Sequence, residues 1–244
     1  WEGAEADAPE TITGPLAALA RRWLERGGLD PEETLWRLRS RDAVWTVAAL
    51  IRTDIAWRRR TGLVPALYEA PFGLPGAAVG AVSPGEGISL WGQVHRIDIL
   101  ERDGETWAVV YEYKTSQEVT RSKILSGRSL QIPTYLVAAQ PLLAQLGFSR
   151  IRVVGGGYYV LKGAKLAGGI WDREFTDLAR SNLASVERGE LAGLQSLLAE
   201  TARGWHEEIL AGNFTPRPQD GACRPCPFVQ CCRYDKYRLQ VKGG

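Results

Sequence analysis

The stretch TWAVVYEYKTS, residues 106–116, decides the fold. A period of two puts Ala108, Val110, Glu112 and Lys114 on one face of a strand, and Trp107, Val109, Tyr111 and Tyr113 on the other. Glu112 and Lys114 therefore project together at the end of an apolar run, where charges are unusual. A carboxylate and an ammonium aimed into one space can hold a hard divalent cation and stabilise a developing oxyanion. Taken alone, Glu-x-Lys describes a surface ion pair equally well.

Working outward, ISLWGQVHRIDIL (88–100) reads as a partner strand, joined through ERDGE, whose Asp103-Gly104 is a strong hairpin signal. Upstream, TGLVPALYEAPFGLPG (61–76) breaks a helical pattern with Pro65, Pro71 and Pro75 and marks an entry to extended structure. Residues 13–60 read as helical, with Val44, Val47, Ile51 and Ile55 on one stripe and Arg58, Arg59 and Arg60 at the favourable C-terminal end. Downstream, RSLQIPTYLVAAQPLLAQLG (128–147) reads as a helix with Pro133 near its first turn, where a missing N–H costs least. RIRVVGGGYYVLKG (150–163) returns to β character. A last helix is expected from about Leu183 to Leu210, with Leu191, Leu194, Leu198, Trp205 and Ile209 close to helical spacing. Helices flanking a small mixed sheet give an α/β (α+β) fold. Gln131 and Tyr135, spaced i and i+4, share a helix face just after the Glu-x-Lys strand.

The 244 residues are 45% hydrophobic, enough for one principal core with a small satellite. Lysine and arginine total 30 against 28 acids, a formal charge of +2, so no global field singles out a partner and any polyanion site must be local. From Phe214 to Gly244 the bases Arg217, Arg224, Arg233, Lys236, Arg238 and Lys242 outnumber Asp220 and Asp235, which makes this tail a candidate phosphate contact. No stretch approaches the length of a membrane span and no leader opens the chain, so a cytoplasmic protein with no membrane partner is expected. The chain opens at Trp1 and contains no methionine, and is expected to be cut from something longer. All four cysteines, Cys223, Cys226, Cys231 and Cys232, cluster in the tail, which in such a setting favours metal over disulfides.

GQVHRID, YEYKTS, LQIPTY and CRPCPFVQCC follow one another in the order and approximate spacing of the RecB-like branch of the PD-(D/E)XK nucleases. From about Gly62 to Asp235 the chain most resembles the C-terminal nuclease domain of AddB-type subunits of bacterial helicase-nucleases. The resemblance implies a restriction-endonuclease-like core over residues 62–212, preceded by a helical segment over 1–61 and followed by a cysteine-rich tail over 213–244. It implies a metal-dependent DNA nuclease, an exonuclease, working in DNA repair and recombination beside a helicase domain or partner subunit. Its substrate would be single-stranded DNA or duplex ends, and its metal magnesium or manganese.

Carried across, Glu112 is the metal ligand, Lys114 the catalytic lysine, Gln131 and Tyr135 the supporting helix pair, and Glu69 the upstream acid. Arg121, Lys123 and Arg128, between strand and helix, are placed to track a DNA backbone. Cys223, Cys226 and Cys232 match the three C-terminal ligands of a four-iron four-sulfur cluster, with the fourth either upstream of Trp1 or replaced by Cys231; four thiolates at this spacing also suit zinc. The chain departs from the pattern at His95, which stands where the resemblance expects an aspartate. His95 is then a candidate metal ligand that manganese tolerates better than magnesium. Asp98 cannot replace the aspartate, because three residues along a strand put it on the opposite face. The alternative is a catalytically degenerate module that binds DNA or a partner subunit.

Overall fold

In chain order the elements of the computed structural model are α1 (Pro9–Arg26), α2 (Thr34–Thr61), β1 (Val64–Phe72), β2 (Gly92–Arg102), β3 (Glu105–Lys114), α3 (Arg121–Leu125), α4 (Gln131–Ala144), β4 (Ile151–Val160), β5 (Lys165–Asp172), α5 (Arg173–Leu178), β6 (Ser185–Val186), α6 (Arg188–Leu210) and α7 (Val229–Cys232). The structure describes residues 9–117, 119–218, 222–223 and 226–232. Residues 1–201 and 202–244 form two compact units.

The first unit is built on a six-stranded mixed sheet in the order β1-β2-β3-β4-β5-β6. β1, β2 and β3 form an antiparallel meander, and β3 then pairs in parallel with β4. Asp103 and Gly104 turn the β2–β3 hairpin at φ 51° and 77°, the positive values that an Asp-Gly pair accommodates. A parallel pair needs a crossover, and α4 supplies it between β3 and β4. β3 is covered on both faces. Ala108 and Val110 pack with Ile132, Tyr135, Ala139 and Leu143 of α4 and with Leu191 and Leu194 of α6. Trp107, Val109 and Tyr111 pack on the other face with Leu50 and Trp57 of α2 and with Trp171 and Phe175. The alternation read from residues 106–116 is thus a division between two apolar layers.

Several expectations shift in detail. The helical stretch over 13–60 is two helices, because Gly28 at φ 71° closes α1 and its neighbour Leu29 donates back to the Leu24 carbonyl. The buried residues of α2 are Val44, Ala48, Leu50, Trp57 and Thr61, while Val47, Ile51 and Ile55 are half-buried. The face that meets the sheet is set by the large Trp57 ring rather than by the branched aliphatic stripe. The last helix starts at Arg188, since Ser185 and Val186 leave the helical path to pair with β5. Leu191, Leu194 and Leu198 are buried as their spacing predicts, whereas Trp205 and Ile209 are exposed. They belong to the second unit, which also contains the Arg217–Glu208 ion pair at 2.7 Å and α7. Among the described residues no helix is long and apolar enough to cross a membrane.

Of the three glycines of β4, Gly156 lets α4 settle on the sheet, while Gly155 and Gly157 make room for Trp171. A methyl group at Gly156 would lie 2.5 Å from Val110 Cγ2 and 3.1 Å from Ile132 Cγ2. Ile132 is the second residue of α4, so the first turn of that helix rests directly on the space a side chain would fill. Gly156→Ala is expected to cost about 1–3 kcal/mol through overpacking, read as a lower urea midpoint with an unchanged slope. An unchanged midpoint would mean that α4 has room to rise.

Candidate active site

The C-terminal end of β3 leaves the core with Glu112 and Lys114 on the α4 side. Glu112 is 3% exposed, an unusual position for a carboxylate unless it is paired. Its Oε1 lies 3.0 Å from Lys114 Nζ. Lys114 Nζ also donates to Gln131 Oε1 at 2.7 Å, Gln131 Nε2 donates to the Tyr135 hydroxyl at 3.2 Å, and that hydroxyl donates to Glu112 Oε2 at 3.0 Å. The four side chains close a ring of three hydrogen bonds and one ion pair, so each side chain is held by its two neighbours. The i, i+4 spacing on α4 supplies one half of the ring and the i, i+2 spacing on β3 the other.

Burial, reinforced by the nearby Glu112 charge, raises the Tyr135 hydroxyl pKa, and only the Gln131 hydrogen bond pulls the other way. Tyr135 therefore remains a proton donor to Glu112 at neutral pH. Tyr158, the in-register neighbour of Glu112 on β4, is fully buried and its phenol is pushed up to about 12, chiefly by burial.

His95 enters from β2. Its Nδ1 stands 3.2 Å from Glu112 Oε2, and the Tyr113 backbone N–H points at the same nitrogen at 3.5 Å. The imidazole has the Tyr113 and Tyr135 rings as neighbours, with centroids at 6.2 and 6.4 Å. The structure thus joins five of the residues expected from the sequence: Glu112, Lys114, Gln131, Tyr135 and His95. Glu69 lies on the neighbouring edge strand. It sits in β1 between the pairs Tyr68–Arg96 and Ala70–Val94, its backbone is left-handed at φ 46°, and its side chain is exposed. Its carbonyl accepts from Gln93 Nε2 at 3.0 Å, and its carboxylate reaches the site only as one of the charges raising Tyr135. Among the described residues, no three His, Cys, Asp or Glu side chains form a ready-made cation site.

The donor set nonetheless suits a divalent ion. Cis ligands of an octahedral ion at about 2.1 Å lie about 3 Å apart. The His95 Nδ1–Glu112 Oε2 spacing is 3.2 Å. Each carboxylate oxygen has a lone pair beyond those used by Lys114 and Tyr135.

Of the three candidate DNA contacts, all exposed, Arg121 is tied by NH1 to the Ser185 carbonyl at 2.6 Å. The Lys123 and Arg128 side chains have no hydrogen bond or ion pair among the described residues. In the second unit Cys223, Cys226, Cys231 and Cys232 are all free thiols. Cys226 donates its backbone N–H to the Cys223 carbonyl, and Cys231 and Cys232 both donate to that of Phe228. Arg224 and Pro225 between the first two cysteines, and the tail residues Arg233, Lys236, Arg238, Lys242, Asp220 and Asp235, lie outside the described residues.

One group of residues escaped sequence reasoning. On the far face of β2, opposite His95, Arg96 is 3% exposed and grips the fully buried Asp98 through Nε and NH2 at 2.6 and 2.5 Å. Its NH2 also meets Asp54 of α2 at 2.8 Å, which accepts from Tyr159 and Arg58 at 2.7 and 2.9 Å. The guanidinium lies over the rings of Tyr68, Tyr111 and Tyr159. Burial opposes its charge, but hydrogen bonding to Asp98 prevails and holds Arg96 protonated. The available signal was the Arg-x-Asp spacing within GQVHRID, which places both on the face away from His95.

A sequence profile of the PD-(D/E)XK nuclease superfamily matches residues 3–233. The chain is similar to bacterial proteins named as one of the subunits of an ATP-dependent helicase/deoxyribonuclease. That of Alkaliphilus oremlandii is 24% identical, over 80% of this chain and 21% of the relative. That of Caldanaerobacter subterraneus is 33% identical over 39% of this chain and 8% of the relative. That of Clostridium botulinum (Loch Maree) is 32% identical over 36% and 8%. The chain spans about a fifth or less of the length of these relatives.

Proposed function

Since the chain belongs to the PD-(D/E)XK nuclease superfamily, we propose that it is a divalent-metal-dependent deoxyribonuclease domain, an exonuclease serving a DNA repair helicase-nuclease. The observation that carries this reading is the closed ring of Glu112, Lys114, Gln131 and Tyr135 with His95 against it. The helicase partner is inferred from the names of the relatives, which describe helicase/deoxyribonuclease subunits.

Glu112 and His95 would hold the ion, which supplies Lewis acidity at the scissile phosphate and a more acidic attacking water. Lys114 carries a fixed positive charge beside Glu112, where it orients the water and offsets charge that builds on the phosphoryl oxygens in the transition state. Gln131 fixes the ammonium in place, so little reorganisation is needed when that charge develops. Tyr135 keeps Glu112 in one rotamer and, as a neutral donor, adds no competing positive charge. Lys123 and Arg128 have free heads to meet the strand backbone. The magnesium or manganese of the site, and a four-iron four-sulfur cluster or zinc on the tail cysteines, belong to this proposal.

The test is cleavage of an end-labelled single strand and of a blunt duplex, with magnesium, manganese or EDTA. Cleavage that needs a divalent ion and proceeds from an end is the expected result. A second reading is favoured by the single carboxylate that touches His95, a sparse donor set: a nuclease-like module that binds DNA or a partner subunit without cutting. Folded, DNA-binding protein that cuts in neither metal would establish that reading and reject the first.

A further inference from the structure

Resting on the reading that Glu112 and His95 hold the ion, we propose that this site selects a first-row transition-metal dication, with manganese as the working example, against magnesium. Two features carry the inference. The first is charge. Glu112 is the one carboxylate in contact with His95, and Lys114 sits 3.0 Å from its other oxygen. The ammonium cancels most of the negative charge that a hard ion needs, because magnesium is bound almost wholly by electrostatics and loses its hydration water reluctantly. The second is the donor atom. A neutral imidazole nitrogen contributes through its lone pair rather than through charge, and such a donor favours transition metals over magnesium.

The local geometry fits the same conclusion. Nδ1 faces a carboxylate oxygen at 3.2 Å and accepts from the Tyr113 N–H at 3.5 Å. The 3.2 Å separation is the one two cis ligands of a dication span, and the long amide contact yields readily to it. Glu69, exposed on β1, has no hydrogen bond or ion pair to His95 or Glu112 among the described residues.

The experiment uses the whole chain without DNA. Free manganese is followed by its electron paramagnetic resonance signal as protein is added, and magnesium is then titrated in as competitor. Wild type is expected to hold manganese against at least a tenfold excess of magnesium, with a nitrogen hyperfine coupling to the bound ion in pulsed spectra. His95→Asp should narrow the preference at least tenfold, and His95→Ala should lose the nitrogen coupling; Glu112→Gln should lose binding of both ions. Thermal unfolding curves identify the variants that are folded. Magnesium competing at equal concentration in wild type, or an unchanged ratio in folded His95→Asp, overturns the selectivity. So does a wild-type spectrum without nitrogen coupling. None of these readouts involves cleavage. A chain that cuts DNA but binds magnesium as well as manganese therefore sinks this inference alone, and one that binds manganese through His95 but never cuts sinks only the nuclease reading.

Discussion

Lys114→Met is expected to lower cleavage by about a hundred- to a thousandfold, the usual loss when a preorganised charge stabiliser is removed from a phosphoryl or acyl transition state. Methionine keeps the length and bulk of the side chain, so the change removes the ammonium and its two contacts, to Glu112 Oε1 at 3.0 Å and Gln131 Oε1 at 2.7 Å. The expected signature is a split. In wild type the ammonium and the dication compete for one carboxylate, so manganese binding in the variant should be retained or tightened while turnover collapses. DNA binding should change little, because one charge among several basic contacts is lost. Single-turnover cleavage at saturating DNA, set beside the metal titration, reads both. Cleavage within tenfold of wild type would show that Lys114 serves only to neutralise Glu112.

Arg96→Met carries the largest expected effect on stability, about 3–5 kcal/mol at neutral pH, because it strands a buried partner rather than removing a pair. Asp98 is fully buried, and its two contacts to Arg96 are its counter-charge. Burial pushes the Asp98 pKa up and Arg96 opposes it. Without Arg96, only the weaker charge of Arg58 opposes it. A carboxylate whose folded pKa exceeds its unfolded value of about 3.9 destabilises the fold above that pH and not below it. The deficit should therefore be small near pH 4 and grow as pH rises towards 7, as long as wild type stays folded across that range. Urea midpoints of both proteins at the two pH values check this. A deficit independent of pH would place the loss in ring stacking over Tyr68, Tyr111 and Tyr159 instead. Arg96→Met with Asp98→Leu should regain much of the stability.

Residues 106–116 announced their fold because a strand of period two carries its facing in the sequence itself, and the Asp103-Gly104 turn marked its register. The pairing of Glu112 with Lys114, and of Gln131 with Tyr135, is likewise a matter of local spacing on a strand and a helix. What the chain did not disclose locally was distance in space. Nothing near Asp54 predicts that it would meet Arg96, 42 residues on, or accept from Tyr159, because those contacts depend on how α2 lies across the sheet. Glu69 illustrates the converse. The resemblance made it the upstream acid, and the sequence could not say that it would be an exposed, left-handed residue of β1 whose charge is felt at Tyr135. The short pairing of Ser185 and Val186 was invisible for the same reason, since two residues have no periodicity.

The two-sided character of β3 also bears on how this chain can change length over evolution. Glu112 and Lys114 face α4 while Tyr111 and Tyr113 face the Arg96 cluster, and both sets depend on one parity. Insertion or loss of a single residue inside the strand would exchange the two sides, turning the acid and the lysine into the arginine layer and two tyrosines into the site. Substitutions there can be compensated one at a time, but length changes cannot. Lineages of this domain should therefore hold residues 105–114 to a constant count.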